Sequence, residues 1–208
     1  ILKQFVETGV KAIFIGGKMA NSFLMAQQQK EMLKPFSLET IPDKLASTDK
    51  RENEEFLNDL NLAEKILDVA EEKKVSILLP EDYKVVSEFK NTSFENKASP
   101  DFSKELQLDL GEKTITQFED KLKNIENVFW NGPLGAYDHP MCSNYAEGSL
   151  EIAKLLFRNA ILNPNISIVI GGGDSAAILN KIGGSELKKM IKRQIGKIIP
   201  PTVNRNQI

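Results

Sequence analysis

Apolar side chains in this chain follow two spacings. At the first they recur every three or four residues, which puts them on one face of a helix. This predicts helices over residues 1–10 (Leu2, Phe5, Val6, Val10) and 19–29 (Ala20, Phe23, Leu24, Met25). The clearest is 52–74, where Phe56, Leu60, Ala63, Leu67 and Ala70 share a face. Two more cover 111–124 (Ile115, Phe118, Leu122) and 145–162 (Ala146, Leu150, Ala153, Phe157, Ala160), the latter capped by Ser143 or Asn144. Another starts near Asp174, and a last one, 186–199, sets Leu187, Ile191, Ile195 and Ile198 against a lysine-rich face. At the second spacing, short apolar runs predict strands over 11–15, 75–79, 83–89, 128–130 and 166–170, the last buried on both faces. Residues 30–50, broken by Pro35 and Pro42, and 91–103 read as loops. Strands alternating with helices imply a mainly parallel sheet with right-handed crossovers.

Three of these strands run into glycine. Ile13-Phe14-Ile15 meets Gly16-Gly17-Lys18, Val128-Phe129-Trp130 meets Asn131-Gly132-Pro133-Leu134-Gly135, and Ile168-Val169-Ile170 meets Gly171-Gly172-Gly173-Asp174-Ser175. Bare backbone past a strand end is where open α/β sheets bind ligands. Successive N–H groups at a helix start suit a phosphate. Asp174 can hold Mg²⁺ through oxygen, and Ser175 adds a donor or a further oxygen. The plainer reading makes Asp174 or Ser175 a helix cap after a turn. Gly132, Pro133 and Gly135 suit a flat wall against a nucleobase, with Asp138 accepting from ribose hydroxyls; otherwise they form an ordinary loop with a capping acid. Lys18 faces phosphate or solvent. Trp130 reads as core. His139 and Cys142 are too few to make a metal site, and His139 reads as a surface residue.

Composition narrows the classes. With 208 residues and 41% hydrophobic content, one large α/β domain or two small ones can bury a core. A net charge of -2 argues against a general nucleic-acid binder. The single cysteine favours a reducing, cytosolic setting, and no apolar run approaches the roughly 20 residues needed to span a bilayer. There is no glycine-rich loop followed by Lys-Ser/Thr and no G-x-G-x-x-G, which disfavours P-loop and common dinucleotide sites. The single histidine has no evident nucleophile beside it.

Together the motifs resemble the C-terminal, nucleotide-binding half of phosphoglycerate kinases. Residues 128–135 (V-F-W-N-G-P-L-G) resemble V-V-W-N-G-P-x-G, 170–177 (I-G-G-G-D-S-A-A) resemble I-G-G-G-D-[ST]-A-A, and 15–24 (I-G-G-K-M-A-N-S-F-L) resemble I-G-G-x-M-A-N-T-F-L. Residues 77–82 and 108–111 resemble two further signatures in the same order. The resemblance covers residues 1–184; 185–208 diverge. It implies an α/β fold with a Rossmann-like, mainly parallel sheet, helices on both faces, three layers in all, binding Mg-ADP or Mg-ATP in the cytoplasm. By position Gly16, Gly17, Gly111, Asn131, Pro133 and Gly135 line the nucleotide pocket. Asp138 stands where the family usually has Glu for the ribose. Gly172 and Gly173 face phosphate, Asp174 the metal, and Ser175 the phosphate chain. The implied reaction is reversible phosphoryl transfer between 1,3-bisphosphoglycerate and ADP.

Several family features are not in this sequence. The G-G-[AS]-K-V-x-x-K segment with its lysines, the half that binds 3-phosphoglycerate with a catalytic Arg, and the S-T-G-G-G-A turn are absent. Lys18 replaces the commoner Gly or Ala, and residues 28–53 form a longer connection. The chain is therefore expected to be a piece of a longer polypeptide that does not turn over alone. Its first, central strand is left out, which leaves an exposed or rearranged strand edge. A non-catalytic nucleotide-binding or interaction module, and an α/β kinase with another acceptor, are the alternatives.

Overall fold

The computed structural model describes residues 2–32, 35, 37–123, 125–141, 143–163, 165–171, 173–175, 177 and 178. The predicted helix 186–199, Gly172 and Cys142 lie outside them. The order of elements is α1 (Leu2–Glu7), β1 (Ala12–Phe14), α2 (Gly17–Met32), α3 (Lys50–Lys73), β2 (Ser76–Leu78), β3 (Tyr83–Val86), β4 (Glu95–Lys97), β5 (Leu106–Leu110), α4 (Glu112–Leu122), β6 (Asn127–Asn131), α5 (Glu147–Leu162) and β7 (Ser167–Gly171). A 3-10 turn, Ser143–Ala146, precedes α5.

This is an α/β fold with parallel strand pairs and packed helices, as expected. β1 pairs in parallel with β2, from Ala12 opposite Ser76 to Phe14 opposite Leu78. β6 pairs in parallel with β7, from Asn127 opposite Ser167 to Asn131 opposite Gly171. β1 and β6 do not pair with each other, so each keeps one unpaired edge among the described residues. Between these pairs in sequence lies an antiparallel group, β4-β3-β5, with an irregular register between Lys84 and Val85. β4 falls within residues 91–103, expected as loop. Its Glu95-Asn96-Lys97 has no apolar run, and pairing with β3 makes it a strand.

Two cores hold the elements. Val6, Phe23, Ala26, Ala63, Ile66 and Val75 join α1, α2 and α3 over β1 and β2. Leu122, Trp130, Ile152, Leu156 and Ile178 pack α4 and α5 against β6 and β7. The long α3 is specified at both ends. Asp49 caps it, its Oδ1 accepting from Arg51 N–H at 2.8 Å. At the other end Lys74 turns left-handed at φ 57°. Its N–H donates to the Glu71 carbonyl at 3.1 Å, and the Val75 N–H to that of Ala70 at 2.9 Å. This is the hydrogen-bond pattern usually built on glycine, and lysine there costs about 1 kcal/mol.

Some burial departs from the sequence reading. Val169 is 54% exposed and its register partner Phe129 is 52% exposed, so one face of β6–β7 is open among the described residues. Phe5 of α1 reaches the Phe129 ring at a centroid distance of 5.5 Å. In α5 the buried stripe is Gly148, Ser149, Ile152, Ala153, Leu155 and Leu156, and Ala160 is exposed. Neither Ser143 nor Asn144 caps α5; Ala146 holds that position without a side-chain bond.

Candidate functional site

The loop after β6 is the hub of the molecule. Trp130, buried as expected, donates its indole N–H to the Gly132 carbonyl at 2.7 Å, and Gly132 turns at φ 95°. Three backbone N–H groups then tie the loop to three other elements. Gly132 N–H donates to Ser175 Oγ at 2.8 Å, just past β7. Leu134 N–H donates to Ser149 Oγ of α5 at 3.0 Å. Ala136 N–H donates to the Leu108 carbonyl of β5 at 2.7 Å. Buried N–H groups left unpaired are costly, so these acceptors fix the path of the loop.

The first glycine junction rests on the same loop. Gly17 has φ 61°, and a Cβ there would lie 2.7 Å from the Pro133 carbonyl oxygen. Gly16 sits over Leu134. Only a residue without a side chain lets β1 pass into α2 at this approach. Gly135 is confined from beneath: a Cβ would overlap Asp109 Oδ1 and stand 2.5 Å from the Tyr145 carbonyl. The Cβ position of Gly111 is taken by the Asp82 carboxylate. Asp82 in turn accepts from Lys113 N–H at 3.0 Å and Thr114 N–H at 2.8 Å, capping α4 from the connection between β2 and β3. Such a cap is worth about 1 kcal/mol.

The third junction reaches the hub twice. Besides the Gly132–Ser175 bond, the Tyr137 hydroxyl donates to Asp174 Oδ1 at 2.7 Å. That bond, ahead of a smaller burial effect, raises the Tyr137 phenol above its ordinary range. Asp174 is exposed, and its second oxygen has no partner among the described residues. Among the described residues nothing lies within 4 Å of where a Gly173 Cβ would sit, so they leave this backbone open to approach. Ser175 is completely buried, so any part it has toward a ligand runs through Gly132. Asn131, Asp138 and Lys18 are exposed at the rim.

The structure thus brings Gly16, Gly17, Pro133, Gly135, Asp174 and Ser175 into one connected set of strand exits, with Gly111 one residue from Leu110 of β5. A cleft of about 280 Å³ beside Gln27, Lys30, Leu67 and Glu71 involves none of these residues. It has no convergent bare backbone, and the strand exits are the better candidate.

Sequence reasoning missed the charges below the hub. Lys84 of β3 and Asp109 of β5 are 7% and 3% exposed. Lys84 Nζ lies 2.6 Å from Glu147 Oε2, 3.0 Å from the Asn144 carbonyl and 3.6 Å from Asp109 Oδ2. Asp109 Oδ2 also accepts from Gly148 N–H at 2.7 Å, while its Oδ1 has no hydrogen-bond partner among the described residues. Burial pushes this carboxyl up to about 7, against the pull of the Gly148 N–H and the Lys84 ammonium. The available signal was an acid set between Leu108 and Leu110 in a strand.

His139, expected at the surface, is 7% exposed. Its ring packs between Phe89 and Tyr145 at centroid distances of 4.4 and 4.9 Å, with Nε2 against the Phe89 carbonyl. Its Nδ1 accepts from Met141 N–H at 3.2 Å. Among the described residues no group of three or more His, Cys, Asp or Glu could hold a metal ion, and no helix is long and apolar enough to cross a membrane.

The family model for phosphoglycerate kinase matches residues 1–192. A phosphoglycerate kinase of Lactobacillus johnsonii is 38% identical over 172 residues, 82% of this chain and 36% of that protein. One from Clostridium botulinum strain Alaska E43 is 34% identical over 177 residues, 84% of this chain and 37% of that protein. The chain therefore spans little more than a third of the length of these relatives. The solved phosphoglycerate kinase from Coxiella burnetii has a similar fold, with a TM-score of 0.63 at 23% identity over 92% of this chain and 46% of that one. On the family match and these relatives, the chain belongs to the phosphoglycerate kinase family.

Proposed function

We propose that this chain is the nucleotide-binding, C-terminal part of a cytoplasmic phosphoglycerate kinase and receives ADP or ATP with Mg²⁺ at the joined strand exits. Residues 1–184 form that unit and 185–208 a divergent tail. The observation that carries the reading is the double attachment of the hub loop: to Gly17 on one side and to Asp174–Ser175 on the other.

In this reading Gly16, Gly17, Gly111, Asn131, Pro133 and Gly135 shape the wall for the base and sugar, and Asp138 meets the ribose. Gly172 and Gly173 present backbone to phosphate, and Ser175 holds Gly132 in place. Asp174 fits a magnesium ion: a hard carboxylate oxygen, exposed, with one oxygen unclaimed among the described residues. A single carboxylate suffices because such ions take their remaining ligands from phosphate and water. Bound there, the ion neutralises charge on the phosphates during transfer. The chain's own part is positioning. Phosphoryl transfer between 1,3-bisphosphoglycerate and ADP then draws on a 3-phosphoglycerate site that these strand exits do not supply.

Calorimetric titration with ADP tests this. We expect saturable binding, tightened roughly five- to hundredfold by Mg²⁺, a usual range for coupled ligands. Asp174→Asn should abolish most of that tightening and leave magnesium-free binding in place. No heat with ADP under either condition would overturn the assignment.

A further inference from the structure

Tyr137 is not among the residues that the reading above assigns, yet it makes the exposed bond between the hub loop and Asp174. We infer that Tyr137 is a positioning residue: its hydroxyl fixes the Asp174 carboxylate through Oδ1 and leaves the other oxygen for the cation that accompanies a nucleotide. This rests on the proposed role of Asp174.

The geometry favours positioning because the two ends of Tyr137 are held differently. Its ring packs against the core built on Leu110, Trp130 and Ile152. Its backbone N–H donates to the Gly135 carbonyl at 2.9 Å, and the preceding Ala136 N–H to that of Leu108 at 2.7 Å. At the other end its hydroxyl, in an exposed position, lies 2.7 Å from Asp174 Oδ1. Asp174 itself is exposed, and an exposed carboxylate with no partner spreads over several rotamers. A hydrogen bond to the ionised group is stronger than one between neutral groups. The donor matters as much as the bond. A lysine or arginine would cancel the charge and compete with a cation, whereas a phenol orients the carboxylate and leaves it anionic. One residue along, the Gly132–Ser175 bond of 2.8 Å ties the same two loops through the fully buried Ser175. Loss of the Tyr137 hydroxyl should therefore free the carboxylate without separating the loops.

Tyr137→Phe removes one oxygen and keeps the ring. The full 208-residue chain, wild type, Y137F and D174N, would be titrated with ADP with and without Mg²⁺. Mn²⁺ uptake by the ADP-loaded chain would be followed by electron paramagnetic resonance. In Y137F we expect the melting temperature and the magnesium-free ADP affinity to stay at wild-type values. The tightening by Mg²⁺ and the Mn²⁺ affinity should fall about tenfold, as when an outer hydrogen-bond partner of a metal ligand is lost. Should Y137F keep or exceed the wild-type metal effect while D174N loses it, Tyr137 has no positioning role and the site assignment stands. Should wild type itself show ADP binding with no metal effect, the role of Asp174 fails and the inference fails with it.

Discussion

Gly135→Ala is expected to destabilise the chain by about 3 kcal/mol or more in urea unfolding, the upper end for overpacking. The added methyl has no free space: it overlaps Asp109 Oδ1 and stands 2.5 Å from the Tyr145 carbonyl. Neither neighbour is the tip of a flexible side chain that can swing aside. Asp109 is held by the Gly148 N–H at 2.7 Å and lies 3.6 Å from Lys84 Nζ, and the Tyr145 carbonyl belongs to the turn that opens α5. Relief must come from lifting the hub loop, which breaks the Ala136–Leu108 and Leu134–Ser149 bonds beside it. Gly173→Ala is the control. Among the described residues nothing lies within 4 Å of its Cβ position, so a change within about 0.5 kcal/mol is expected. Equal effects of the two substitutions would mean that the loop does not rest on Asp109 as described.

The second large effect is a pH dependence carried by Asp109. Its carboxyl titrates near 7 in the folded chain against an ordinary value of 3.8, because burial disfavours the charge. Between those values the folded state holds a proton that the unfolded chain has released. This contribution to stability is therefore complete at low pH, falls as pH rises through the interval, and is gone above about 7. The interval corresponds to about 4 kcal/mol at most. Protonation does not strand Lys84, whose nearer partner is Glu147 at 2.6 Å rather than Asp109 at 3.6 Å. Asp109→Asn removes the charge at every pH. The stability difference between D109N and wild type, from urea unfolding, should shift in favour of D109N by about 2–4 kcal/mol between about pH 4.5 and about pH 8. A difference that stays flat, or moves the other way, would show that Asp109 is ionised throughout.

What could be read from the sequence and what could not follow from range along the chain. The glycine junctions, the buried Trp130 and the long α3 were legible because their signals are local: a periodicity, a break, a cap. α3 begins two residues before the expected start because its cap, Asp49, lies ahead of the apolar stripe. The burial of His139 was not legible. It depends on Phe89, fifty residues away, and on Tyr145, neither marked as a partner by any local pattern. Asp109 was missed for the same reason, since its meaning lies in Gly135, Gly148 and Lys84 on three other elements. β4 has no apolar signal and exists through its pairing with β3. Val169 sits in an apolar run that suggests two buried faces, yet one face is open among the described residues. The site itself was read as three glycine-lined openings. The structure adds that Gly111 and Gly135 are glycine first to admit the chain's own carboxylates, Asp82 and Asp109.

The most direct test is to follow the backbone amide resonances of Gly17, Gly135 and Gly173 as Mg-ADP is added to the intact chain. If the strand exits form one receptor for a magnesium-bearing polyphosphate, all three should move along saturation curves with a common midpoint, while the amide of Gly9, at the end of α1, stays still. Movement of one alone, separate midpoints, or no movement at saturating nucleotide would contradict it.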